Sequence, residues 1–329
     1  MFRSLSAVSV VLAFGLISAA TGCSNASSPT SVPLSGAAGT HAMPQSLGHW
    51  TTKASMGRER TGAAVGVVSG ILYAVGGWKK HIGPRQSVEA YDPTTNSWTT
   101  KAPITLERQD LGAGTVNGIL YVFGGGDCCT VYGYNDAYDP TTNGWTSRAD
   151  MPTPRDNFGA GVINGIIYAV GGDSQVGQLN VNEAYDPATD TWSEKAPMPT
   201  ARWGLAVGVV NGILYAIGGN VGSSTVEAYD PATDTWASKA SMPTGRMSLA
   251  VGVIGSKLYA IGGCAIAFCT DPLSTVEVYD PATNTWAAEA SMPTARDGLG
   301  AATINGKLYA VGGENSSGQL KTLEVFNPK

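Results

Sequence analysis

Six arginines, Arg60, Arg108, Arg155, Arg202, Arg246 and Arg296, close six related segments, four of which read Met-Pro-Thr-x-Arg. Six guanidinium groups converging on one place would bind a carboxylate, a phosphate or an acidic peptide, because each planar fork donates two parallel hydrogen bonds to such a group. Their neighbours differ from copy to copy, as a specific pocket requires: Arg58, Glu59, Glu107, Asp110, Asp156, Asn157, Phe158, Trp203, Met247 and Asp297. A structural role is equally open to the arginines, since Glu89, Asp136, Glu183, Glu227, Glu277 and Glu324 recur at a fixed distance and could pair with them. Trp78-Lys79-Lys80-His81 sets an aromatic ring beside cations, a combination that suits a stacked sugar or an anionic partner, or a solvated loop. Tyr132 and Tyr134 form a second aromatic cluster of this kind.

Other chemistry is thinly represented. The only histidines are His41, His49 and His81, too few for a histidine-based nucleophile triad, and no metal set or cofactor motif is expected. Net charge is −5 with no basic stripe, which argues against nucleic acid. Cys264 and Cys269 lie five residues apart in one segment and are expected to pair; the adjacent Cys128 and Cys129 form a vicinal disulfide or stay as thiols. Cross-pairing would have to span opposite sides of the ring derived below, beyond disulfide reach.

The beginning of the chain directs it out of the cytoplasm. Residues 1–23 carry Arg3, an apolar run over about 7–20, and then Thr21, Gly22 and Cys23, the pattern of an export signal. Ala20-Thr21-Gly22-Cys23 resembles a bacterial lipobox, although Ala stands where Leu is usual. Lipidation of Cys23 would leave a membrane-tethered lipoprotein in the periplasm or at the cell surface; ordinary cleavage after Gly22 would leave a secreted protein. Residues 24–45, rich in Ser, Pro, Ala, Gly and Thr, lack apolar periodicity and read as a flexible tether. Residues 46–329 have the composition of one globular domain.

That domain is organised around residues 226–246, VEAYDPATDTWASKASMPTGR, of which close copies recur. Trp50, Trp98, Trp145, Trp192, Trp236 and Trp286 are separated by 48, 47, 47, 44 and 50 residues, and the Gly-Gly pairs starting at Gly76, Gly124, Gly171, Gly218, Gly262 and Gly312 keep the same intervals. Such a period marks a repeat architecture. Each unit predicts four short strands: a first of small and β-branched residues, a type I′ turn at Asn-Gly, a second ending at the glycine pair, a third ending at Asp-Pro, and a fourth carrying the tryptophan. Meanders of this kind bury both sheet faces as a ring of blades, narrow at the axis, where Gly66, Gly114, Gly161, Gly208, Gly252 and Ala302 fall. The last unit ends in a third strand, while 48–53 is a lone fourth strand; the N-terminal strand is therefore expected to complete the sixth blade.

The Gly-Gly doublet after LYAVGG, the Tyr about 13 residues on, the Trp seven beyond it and the MPTAR segment resemble kelch repeats over residues 47–329. The resemblance implies an all-β, six-bladed propeller with four-stranded blades, but not an activity. Strand parity puts the nearly invariant Asn-Gly and Asp-Pro turns on one face, and on the other the unequal loops after Gly-Gly together with the arginine-ended linkers. The second face is the expected binding face, with Arg60, Arg108, Arg155, Arg202, Arg246, Arg296, Trp203, Phe158, Asp156 and Trp78 as its candidate residues. The resulting expectation is a non-catalytic module for an acidic peptide, a protein loop or a glycan, touching membrane only through its lipid. The alternative implied by the resemblance is a sugar-acid mutarotase similar to the exported kelch-type N-acetylneuraminate epimerases. In that reading Glu59, Glu107, Asp110, Asp156 or Asp297 would supply general acid and base.

Overall fold

The computed structural model describes residues 47–127 and 129–329. The export signal, Cys23, the tether and Cys128 lie outside the described residues. The first five repeats fold as expected, each as one antiparallel sheet in chain order. Blade four has strands Ala206–Val210, Ile213–Ile217, Val226–Asp230 and Thr235–Ser238, with Gly208 opposite Tyr215, Tyr215 opposite Ala228, and Tyr229 opposite Trp236. The second and third strands are buried on both faces, which is why ILYAI is a continuous apolar run and not an alternating one. The turn between the first two strands holds Asn211 at φ +52° and Gly212 at φ +77°, both positive as a type I′ turn demands.

Among the described residues there is no single central core. The buried side chains form six clusters, each shared by two neighbouring blades, and the cluster joining blade six to blade one is as complete as the rest, with Tyr309 and Leu323 against Leu72 and Tyr91. The small residues on the innermost strands exist for these interfaces. A Cβ added to Gly208 would lie 2.2 Å from Leu258 of the next blade, so even alanine cannot enter without displacing it.

The six tryptophans are only half-buried, and act as clasps more than as fillers of the widening outer gap. Trp236 packs on Tyr229 at 5.2 Å between ring centroids and donates its indole N–H to Ala196 O at 2.8 Å, in the linker arriving from the preceding blade. Asp234 Oδ1 accepts from both Tyr229 Oη and Ala196 N, gripping the same linker residue from the turn side. The fully buried tyrosines fill the gap instead.

Closure follows the sequence argument. His49–Lys53 is the outermost strand of the sixth blade, paired along its whole length with Leu323–Asn327, and Trp50 donates to Ala290 O at 2.8 Å. Among the described residues no helix is long and apolar enough to cross a membrane.

Candidate functional site at the propeller mouth

The arginines do not line the mouth. All six side chains are fully buried inside the blades, each ion-paired with the acidic residue of the third strand: Arg60–Glu89, Arg108–Asp136, Arg155–Glu183, Arg202–Glu227, Arg246–Glu277 and Arg296–Glu324. Arg202 shows the whole latch. Its guanidinium donates to Glu227 at 2.7 Å and to the carbonyls of Gly218 and Thr225, while Thr200 Oγ1 donates to the other oxygen of Glu227 at 2.9 Å. The Met-Pro-Thr-x-Arg segment thus pins the linker to its blade, and burying a guanidinium is tolerable there because a carboxylate and two carbonyls meet it. Desolvation lowers the pKa of every one of these arginines, that of Arg155 to about 10, with the carboxylate partner opposing the shift. The expectation of an arginine-lined binding face is corrected on this point: all six guanidinium groups are fully buried against an internal carboxylate, and none of them reaches the lining of the mouth.

What faces the axis is the chain immediately after each arginine. Gly62, Asp110, Asn157, Gly204, Ser248 and Gly298, two residues on, all take φ between +50° and +64°. Each donates its N–H to the carbonyl of its counterpart in the preceding blade over 2.7–3.2 Å, Gly62 donating to Gly298, so that six hydrogen bonds close a ring around the axis. The left-handed backbone explains the predominance of Gly, Asp and Asn at this position. The glycines also make room: a Cβ on Gly62 would sit 2.2 Å from Asp110 Oδ1, so the Asp110 carboxyl lies across blade one. A second set of bonds staples the blades together. Gly219 N–H donates to Arg246 O of the next blade at 3.0 Å, and Gly313 N–H to Arg60 O at 2.9 Å across the closure.

Above the ring lies a cavity of about 410 Å³ whose lining includes Trp78, Gln109, Asp110, Phe158, Asp297 and Glu314, with no Lys, Arg or His among the described residues. The mouth is acidic. Burial is the main reason that Asp110 and Asp297 each have a pKa raised to about 7; the charges of Asp156 and Glu314 add to it for Asp110, and that of Glu314 for Asp297. Asp156, which faces Asp173, is also shifted upward by burial. Asp297 is 5% exposed and its Oδ1 has no hydrogen-bond partner.

Of the candidate residues, the structure places Trp78 and Phe158 in the lining, Phe158 packed on Phe123 at 5.5 Å. Asp156 and Trp203 are outside the lining: Asp156 is paired through its backbone with Asp173, and half-buried Trp203 is held at its backbone N–H and carbonyl by Asn220. Lys79 is ion-paired with Glu59, so the cation beside Trp78 is already matched. Tyr132 and Tyr134 stack at 5.3 Å, and Tyr132 Oη donates to Asp127. Cys264 and Cys269 form a disulfide in the loop of blade five; the Cys128–Cys129 pairing lies outside the described residues. Sequence reasoning missed Glu314 and Ser248. Glu314 occupies the place after a glycine pair that Trp78 holds in blade one, so repeat alignment carried that signal.

The raised carboxyl groups make fold stability depend on pH in a stated direction. Between about pH 4 and 7 the folded protein keeps a proton on Asp297 that the unfolded chain has lost, so stability falls as pH rises through that window and levels off above it. Asp297→Asn is expected to raise stability at pH 8 by up to about 4 kcal/mol and to remove part of the slope. Denaturant melts of both proteins from pH 4 to 8 check this, and parallel curves would refute it.

A family model described as the KLHDC2/KLHL20/DRC7 Kelch-repeats domain matches residues 62–263, and the Kelch motif matches 245–293 and 295–329. A comparison with curated proteins finds no match. Among solved structures, one described as "Structure of YjhT" is similar, with a TM-score of 0.72 at 18% identity, covering 82% of this chain and 95% of that one. At that identity the likeness is one of fold. With matches across the repeats and six four-stranded blades closed into a ring, the chain belongs to the kelch-repeat family and is a six-bladed kelch propeller.

Proposed function

We propose that this protein is exported, tethered through a lipid on Cys23, and acts as a non-catalytic binding module that takes a protein loop or a glycan at the mouth of its propeller. One observation carries the reading: the cavity above the ring is lined by side chains that differ from blade to blade, Trp78, Gln109, Phe158 and Glu314 among them, on a scaffold whose opposite turns barely vary. An acidic peptide is set aside as ligand, because the buried arginines leave no cation in the lining.

A second reading is favoured by a different observation. Asp110 and Asp297, at about 7, are poised where a carboxyl both donates and accepts protons near neutral pH, as a mutarotase or related enzyme requires. Among the described residues the same lining has no cation to pair with the carboxylate of a sugar acid, and its own carboxyl groups repel one, which weighs against that substrate class. Thermal-shift measurements against neutral oligosaccharides, sugar acids and peptides test both readings. Stabilisation by a peptide or glycan that disappears in Trp78→Ala is the expected result. Faster interconversion of sugar anomers in the presence of the protein, abolished in Asp297→Asn, would replace the binding reading with the enzymatic one.

A further inference from the structure

Apart from Leu47, every large apolar side chain that the described residues expose lies on the loop-bearing face. Ile82, Tyr134, Val176, Val221, Ile266 and Phe268 stand in the loops between second and third strands of the first five blades, Val176 and Phe268 at 95% and 94% exposure. They surround a mouth whose lining carries Asp110, Asp297 and Glu314 and no cation among the described residues. Resting on the binding-module reading, we infer that this face docks a protein partner that inserts a lysine or arginine side chain into the carboxylate-lined mouth and lays apolar side chains on the surrounding loops.

Three observations select that occupant. First, the unpartnered Oδ1 of Asp297, on a residue 95% buried by its 5% exposure, is an acceptor that the fold leaves unmet, and an acceptor of that kind in an acidic cavity calls for a cationic donor. Second, the mouth is poorly built for a metal ion. The one tight cluster of possible ligands among the described residues, Cys264, Cys269 and Asp297, has both sulfurs tied in a disulfide, whereas a guanidinium or ammonium can donate to acceptors spread around a cavity of about 410 Å³. Trp78 and Phe158 line the same cavity and can pack against the aliphatic stem of such a side chain. Third, the apolar residues belong to loops of five different blades, a span that suits a protein surface and exceeds what a bound sugar covers.

The charges around the mouth agree. Asp110 is faced by Asp156 and Glu314, Asp297 by Glu314, and Asp156 in turn by Asp173; Glu314 accepts from Gln319, Lys79 is matched by Glu59, and Arg58 and Lys80 lie exposed outside the cavity lining. A cation entering the mouth therefore meets a surplus of carboxylate, and that surplus grows as pH rises through about 7.

Short capped peptides with leucine-bearing flanks and a central arginine, lysine, glutamine or glutamate test the inference by calorimetry with the purified chain from residue 24 onward. The arginine and lysine peptides are expected to bind at least ~10-fold tighter than the glutamine peptide, with affinity rising several-fold from pH 6 to pH 8. Asp297→Asn, checked by its melt to be folded, should erase most of that preference; Phe268→Ser with Val176→Ser should weaken all four peptides while leaving the order among them intact. Equal binding of the arginine and glutamine peptides, or no binding of either at millimolar concentration, overturns the inference. Binding of an oligosaccharide, lost in Trp78→Ala, without any peptide binding would overturn it too but leave the binding-module reading standing. Absence of every ligand would remove both.

Discussion

A chain that begins at Ala54, lacking the strand His49–Lys53, is expected to lose cooperative folding and to aggregate. The strand supplies the outermost pairing of the sixth blade, and without it the backbone of Leu323–Asn327 is left as an open edge able to pair with other chains. The loss extends beyond the ladder. Trp50 stacks on Phe326 at 5.3 Å and ties the blade to Ala290, while Gly48 N–H donates to Glu289 at 2.8 Å, so blades five and six lose their outer clasp together. Removing one large side chain from such a position costs roughly 2–4 kcal/mol, and the lost hydrogen bonds bring the total close to the usual 5–15 kcal/mol margin of a folded domain. Thermal melts and light scattering on the truncated chain check this, with Trp50→Phe as the milder control. A truncated protein melting within a few degrees of the intact one would show that closure contributes little.

Arg202→Ala is the second large effect. The substitution leaves the Glu227 carboxylate buried with only Thr200 as side-chain partner, and removes the donors to Gly218 O and Thr225 O that hold the end of the second strand to the start of the third. Breaking one side of a buried pair costs about 3–5 kcal/mol, whereas replacing both members with apolar residues of similar volume is often nearly neutral. The single variant is therefore expected to lower Tm by roughly 8–15 °C, and Arg202→Met with Glu227→Met by much less. The contrast matters for function as well. If Arg202 were a ligand-binding group, Arg202→Ala would abolish binding with Tm unchanged; the latch predicts the reverse, lost stability with ligand affinity retained in the molecules that stay folded.

Most of the architecture was legible because it is local and repeated. Asn211-Gly212 announces its own turn, and the spacing of glycine pairs and tryptophans counts the blades without reference to any distant contact. Closure was legible for a related reason: a lone fourth strand at one end of the domain and a missing one at the other leave a single economical pairing. The role of the tryptophans was not legible, since the sequence marks their strand but not that their indole N–H reaches a carbonyl of the preceding linker.

The site was harder, and the arginines show why. Their positions follow from the repeat, but a side chain at the start of an innermost strand can turn toward the axis or back into its blade. The fixed spacing did name Glu227 and its counterparts as possible partners, and all six pairs form. Spacing alone does not decide between that inward turn and one toward the axis, which rests on where the third strand stands across the sheet. The same holds for Asp110 and Asp297, ordinary acidic residues in the sequence that become high-pKa groups only when the ring gathers them with Glu314 and withdraws water. The sequence by itself determined the blade count, the strand order, the closing strand and which face varies, because each is set by local propensity repeated at a constant interval. Only the tertiary structure decided the sign of charge at the mouth, since that depends on which ionisable groups are neutralised inside the blades and which are left facing the cavity.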